Sequence, residues 1–144
     1  MRINTQFPVA VHILSALAYF RDDPLPSDSI AKSIGTNPVV VRRMLSLLKK
    51  KGFVDTQSGV RGAVLRREHR DITLLDIYNA VRPKGETLFD LHPNPSRLCP
   101  VGAHISKAIG VPLGNAQSAL EKELGASTLA DVIESIAHHN KRPR

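Results

Sequence analysis

A chain of 144 residues that is 42% apolar and 23% charged is long enough for one ordinary domain with an attached assembly element, and too apolar to be disordered throughout. No apolar run approaches the ~20 residues that span a bilayer, and the single cysteine excludes both an intrachain disulfide and a multi-cysteine zinc site. A formal net charge of +7 points first to nucleic acid as a partner, with ribosome-like or membrane-surface binding as the other options.

In chain order, Thr5 is placed to cap a first helix over about 6–20, in which Val9, Ile13, Leu14, Leu17 and Ala18 recur at helical spacing. Asp22-Asp23-Pro24-Leu25-Pro26 ends it. Ser27 then caps a short helix from Asp28 to Ile34, closed by Gly35, which tolerates the left-handed conformation of a helix terminus. Asn37 before Pro38 is a strong start for a third helix reaching about Lys51, with Val41, Met44, Leu45 and Leu48 inward. Phe53–Thr56 and Ala63–Leu65 read as short strands around the turn Ser58-Gly59-Val60-Arg61-Gly62. Thr73 caps a helix over Leu74–Val81, and residues 84–98 form a long Pro-containing loop. From Val101 to Leu124 an apolar stripe passes through Ile105, Ile109, Leu113, Ala116 and Leu120. Gly110 and Pro112 interrupt it, which predicts either a kinked helix or two helices. Thr128 caps a last helix through Ile136, with a frayed tail from His138.

The positive charge is not spread evenly. Residues 1–82 carry thirteen basic against seven acidic groups, and residues 83–144 carry seven against six. Within the first part the spacing Ala31, Gly35, Val41, Met44 meets the needs of two helices crossing through a tight turn. It places a small residue at the crossing, a permissive residue in the turn and apolar groups on the second helix. A plain helical hairpin would satisfy the same spacing, and a basic block is often only a solvated face. Here no acidic residue occurs from Ile30 to Val54, whereas a plain surface helix mixes signs. The outward positions Asn37, Arg42, Arg43, Lys49 and Lys50 therefore read as a DNA-facing side. Arg61, between Gly59 and Gly62, is placed to meet phosphate or a minor groove. No aromatic residue interleaves these cations, which argues against single-strand binding by base stacking. Localised charge likewise argues against an architectural or RNA-binding protein.

The order of elements resembles one family. A helix starting near Thr5, a helix-turn-helix ending Leu47-Leu48-Lys49-Lys50-Lys51-Gly52-Phe53-Val54, a Gly-containing wing and then Asp71-Ile72-Thr73-Leu74-Leu75-Asp76-Ile77-Tyr78-Asn79-Ala80-Val81 are similar to the Rrf-two family of bacterial transcription regulators. The resemblance covers nearly the whole chain. It implies a mainly α fold with a small β wing: a winged helix-turn-helix domain over 1–82, a Cys-bearing loop over 83–100, and dimerisation helices with a basic tail over 101–144. It also implies a homodimer on double-stranded DNA at a palindromic operator, with the long C-terminal helix as the seam. Asn37, Val39 and Arg42 match the base-contacting positions, and Arg61 matches the wing arginine. The wing departs from the family in having fewer glycines and no aromatic residue. Cluster-binding members carry three cysteines before the long helix, and this chain has only Cys99. An iron–sulfur site would need histidine or intersubunit ligands, so no cofactor and no metal are expected.

Cys99 stands at the approach to a helix N-terminus, where partial positive charge, helped by Arg97, favours the thiolate that oxidants and electrophiles attack. It is the candidate redox-sensing residue. The bland alternative is a buried cysteine acting as a small hydrophobe. His92 and His104 flank it without a specific metal spacing. An enzyme using Cys99 with His104 as base lacks an orienting acid and a phosphate-cradling loop, so no enzymatic activity is expected. The N-terminus lacks the apolar stretch of a secretory leader, which predicts a cytoplasmic protein with no membrane partner. Regulation by a small ligand or a partner, without cysteine chemistry, is the competing reading.

Overall fold

In the computed structural model, which describes residues 5–56 and 61–141, helix α1 runs Gln6–Tyr19 and threads the centre of the head. Its three-and-four spacing buries Ala10, Ile13, Leu14, Leu17 and Ala18. Packing against α1 are helices α2 (Ser27–Ile34), α3 (Pro38–Lys50) and α4 (Leu74–Val81). Thr5 caps α1 differently from expectation. Its side chain makes no capping bond, and its carbonyl instead accepts from the Val9 amide at 3.1 Å. Ser27 likewise is the first helical residue of α2 and not its cap; the extended residue before the helix is Pro26.

The turn between α2 and α3 follows the sequence closely. Gly35 adopts φ +78°, and its amide bonds to Ala31 at 2.9 Å, closing α2 in the left-handed conformation that a β-carbon would strain. Asn37 Oδ1 accepts from the Val39 amide at 2.8 Å, and Pro38 occupies the first turn of α3. Val41, Met44 and Leu48 then point into the core beside Ile30 and Ala31.

Strand β1 (Val54–Asp55) pairs antiparallel with β2 (Val64–Leu65), Val54 opposite Leu65. Both strands are shorter than the sequence pattern predicts. Ala63 turns away to form a bridge with Leu25, with bonds of 3.0 and 3.2 Å, which stitches the root of the wing to the α1–α2 connection. Ser58, Gly59 and Val60 of the expected turn lie outside the described residues.

After the loop, α5 (Pro100–Ala126) is one continuous helix of 27 residues, about 40 Å long at 1.5 Å per residue. Gly110 and Pro112 sit inside it without ending it. Proline removes one amide from the ladder, and the turns on both sides remain helical. None of its residues is buried in the single chain. Helix α6 (Leu129–Asn140) runs past Ile136, so His138 and His139 are helical where a frayed tail was expected. Its start is fixed by the same device as α4. Thr73-Leu74-Leu75-Asp76 and Thr128-Leu129-Ala130-Asp131 both form capping boxes, and the two threonines pair as an antiparallel bridge. The Leu129 amide bonds to Ile72 at 2.8 Å, the Leu74 amide bonds to Ser127 at 2.9 Å, and the Leu129 side chain is fully buried in the head's core.

Candidate nucleic-acid interface

On α3, residues seven apart lie on one face, so the basic side chains form two adjacent stripes, Arg42–Lys49 and Arg43–Lys50. The first stripe faces the wing. Arg42 and Lys49 line a cleft of about 420 Å³ together with Arg61, Gly62 and Ala63 from the wing, Leu25 and Pro26 from the α1–α2 connection, and Ser27, the first residue of α2. Three cations thus converge across one concave surface, although Arg61 is 12 residues from Lys49 in sequence. Arg43 and Lys50 are exposed on α3 but do not line that cleft. Asn37 and Val39 are exposed at the N-terminal end of the same helix. The Asn37 carbonyl oxygen is committed to its cap, which leaves the amide N–H groups for a ligand.

Two contacts made by the cations of this cleft were not legible in the sequence. Lys49 Nζ donates to Thr56 Oγ1, which orients the ammonium across the wing. Arg61 Nη2 pairs with Asp28 Oδ2 at 3.2 Å, between side chains that are 82% and 50% exposed. The two are 33 residues apart, and no local pattern announces the pair. Arg67 is drawn into the fold instead. It lies over the Phe53 ring at 5.2 Å and donates to the Asp71 carbonyl at 3.3 Å.

Cys99 is the exposed residue before the first turn of α5. The backbone N–H groups of Gly102, and then of Val101, hold its thiol below the ordinary cysteine value, against a small opposing effect of burial. The Arg97 contribution expected from the sequence is not among the causes. Gly102 also makes room for the loop: a β-carbon there would collide with the Ser96 carbonyl oxygen and lie 3.0 Å from the Ser96 nitrogen. Leu98 and Val101, on either side of the cysteine, are 98% and 68% exposed.

A polar joint ties this region to the head. Gln117 of α5 accepts from the Leu88 amide of the loop at 2.9 Å and donates to Tyr78 Oη of α4 at 3.2 Å. Arg82, at the end of α4, pairs with Glu121 of α5 at 3.2 Å and lies over the Tyr78 ring at 4.8 Å. The sequence offered no signal for this joint, because its partners lie 29 to 39 residues apart.

Comparison with known proteins gives this arrangement its family. The model of the Rrf2 family, described as iron-dependent transcriptional regulators, matches residues 3–135. The chain belongs to the Rrf2 family. A Bacillus subtilis protein, YwnA, whose name places it among helix-turn-helix transcriptional regulators, is 45% identical over 134 residues, covering 93% of this Rrf2 chain and 98% of that protein. A crystal structure described as a DNA-binding protein is similar at 41% identity and a TM-score of 0.73, over 89% of this chain and 98% of that one. A transcriptional regulator from Lactobacillus plantarum superposes with a TM-score of 0.78 at 28% identity, covering 95% and 93%. The Rrf2 fold, mostly helical with a two-stranded antiparallel wing and a long C-terminal helix, is therefore shared across the chain, and the family is one of regulators, not enzymes.

The iron in the family's description does not fit this Rrf2 member's donors. Cys99 is its one thiol, and among the described residues no three His, Cys, Asp or Glu side chains gather where a metal could be held. No helix among the described residues is long and apolar enough to cross a membrane.

Proposed function

We propose that this Rrf2 regulator is a homodimeric, cytoplasmic repressor that binds a palindromic operator in double-stranded DNA and is switched at Cys99. The observation that carries the DNA reading is the convergence of Arg42, Lys49 and Arg61 on one cleft beside the exposed N-terminal end of α3. A major groove about 12 Å wide admits a helix, and a wing beside it reaches the flanking backbone. Arg42 reads bases, with Asn37 and Val39 at the leading end. Arg43, Lys49 and Lys50 meet phosphate, and Arg61 meets phosphate or the minor groove. Residues 1–82 form the reading head, 83–100 the sensing loop and 101–144 the assembly element. A 27-residue helix with nothing fully buried in the single chain supports α5 as the seam, since its stripe of Ile105, Ile109, Leu113, Leu120 and Leu124 is only half-buried there and a second copy would complete its cover.

The switch follows from position. Cys99 is exposed, its thiol is held low by two amides, and its loop connects through Gln117 and Glu121 to α4 of the head. Alkylation joins Sγ to the electrophile's carbon and releases the thiol proton to water. With diamide, two thiols lose two electrons and two protons to form a disulfide, and the diamide becomes a hydrazine. Either product acts by favouring one placement of the two heads.

Fluorescence anisotropy on the protein's own upstream DNA and on random duplex tests the reading. Arg42→Ala is expected to lose ~1–3 kcal/mol of discrimination. Lys50→Ala is expected to weaken both duplexes and lower the salt slope by roughly one. Cys99→Ser is expected to bind DNA while ignoring diamide. Equal affinity for both duplexes in the unmodified protein would end the regulator reading. Equal diamide responses of wild type and Cys99→Ser would end the switch.

A further inference from the structure

A second and larger cleft, of about 780 Å³, opens between α1, α2 and α6. Its volume lies in the range of small-molecule sites. One wall is aromatic and apolar: Tyr19 and Phe20 sit edge to face with centroids 5.0 Å apart, opposite Ile136 of α6. The other side is polar without formal charge, because no Lys, Arg, Asp or Glu side chain lines the cleft. A charged ligand would therefore lose its hydration there without gaining a counter-ion.

Two of the polar groups have unmet capacity. Ser15 is 5% exposed and lines this cleft, and among the described residues its Oγ is the one buried side-chain polar atom with no hydrogen-bond partner. Buried hydroxyls in folded proteins are nearly always bonded, so an orphan calls for a partner from elsewhere. His139 places Nδ1 2.7 Å from the Ser135 carbonyl. A carbonyl only accepts, so Nδ1 carries the hydrogen, and Nε2 of the neutral ring is left as an acceptor. His12, bonded to Ser33 at 2.9 Å, spans α1 and α2 at the same cleft.

We infer that this cleft is an effector site for a neutral, phenol-like molecule: a flat apolar ring bearing one hydroxyl. The ring lies against Tyr19, Phe20 and Ile136. The hydroxyl, being both donor and acceptor, meets His139 Nε2 and, once the Ser15 side chain turns towards the cleft, the buried Ser15 Oγ. The site joins α6, which follows the α5 seam and is anchored in the head by Leu129, to α1 and α2, so occupancy biases the placement of the head on that seam and thereby operator affinity. That last link rests on the DNA-binding reading above; the binding site itself does not.

The test uses the full-length protein with p-cresol as probe and toluene as the hydroxyl-free control, followed by amide NMR shifts. Cresol is expected to shift Ser15, Tyr19 and Ser135 with a Kd on the order of a millimolar, as suits so small a ligand. Toluene and the Ser15→Ala variant are each expected to show binding about fivefold weaker. Ser135→Phe, an exposed α6 position that fills the cleft without touching the core, is expected to abolish it. Saturating cresol is expected to change wild-type operator affinity at least about twofold and leave Ser135→Phe unchanged. Absence of cleft shifts, equal binding by Ser15→Ala, or cleft shifts that follow protein dilution instead of cresol would overturn the site. Cresol binding with wild-type operator affinity unmoved would overturn its effector role. Failure to bind any operator would count against the DNA reading and leave the NMR result to decide the site.

Discussion

On the proposed contact of Arg61 with phosphate, Asp28 would compete with DNA for Arg61, so Asp28→Asn is expected to tighten DNA binding. Without DNA, the Arg61 guanidinium is held at 3.2 Å by the Asp28 carboxylate. Binding phosphate through Arg61 first requires breaking that pair. Both side chains are at least half exposed, so solvent screens the pair and its worth is discounted to about 0–1 kcal/mol. Releasing Arg61 then gives about twofold in affinity at the middle of that range and about fivefold at its top, with 1.4 kcal/mol equal to a factor of ten. Removing a negative charge within a Debye length of ~10 Å from the DNA adds a little more at low salt, so the total gain is two- to tenfold. Asparagine weakens the favourable charge in the first turn of α2, a folding cost of ~0.3–1 kcal/mol that thermal melting will register. Anisotropy titrations at ~50 and ~200 mM salt, on wild type, Asp28→Asn, Arg61→Ala and the double variant, close the cycle. The gain should shrink with salt and largely vanish when Arg61 is absent. Asp28→Asn binding no tighter than wild type at low salt, or gaining as much without Arg61, would refute the competition.

Leu120→Glu places a charge in the half-buried stripe of α5, so sedimentation is expected to show monomer and anisotropy a weakened operator complex; an unchanged dimer would remove α5 as the seam. Leu129→Ala empties a fully buried site where α6 enters the core, and thermal or urea unfolding is expected to report a loss of ~2–5 kcal/mol. For Cys99, the alkylation rate with iodoacetamide should rise with pH and reach half its plateau below the pH at which free cysteine does, because the amides of Gly102 and Val101 favour the anion. Gly102→Ala, whose β-carbon meets the Ser96 backbone, is expected to displace the loop and move that midpoint towards the free-thiol value.

Local chemistry decided most of the helical head before any folding was considered. Asn37-Pro38, Gly35 and the two Thr-x-x-Asp boxes act within three or four residues, so their effects on helix starts and stops are written into the chain and appear at the same positions in the fold. The concentration of cations on α3 was equally legible, since helical periodicity alone places Arg42 and Lys49 on one face. Pro112 shows the limit of local rules: it predicts either a kinked helix or two helices, and only the fold shows that α5 continues through it as one helix. What tertiary structure decided was partnership at long range. Only folding brings Arg61 to Asp28, shortens β2 by bridging Ala63 to Leu25, and bonds Gln117 to both Tyr78 and Leu88. Only folding sets the Thr73 and Thr128 boxes side by side as a bridge. Each cap satisfies its own helix through neighbours in sequence. The pairing of the two caps depends on Leu129 reaching the same buried core as Ile72 and Ile77, a contact no window of adjacent residues contains.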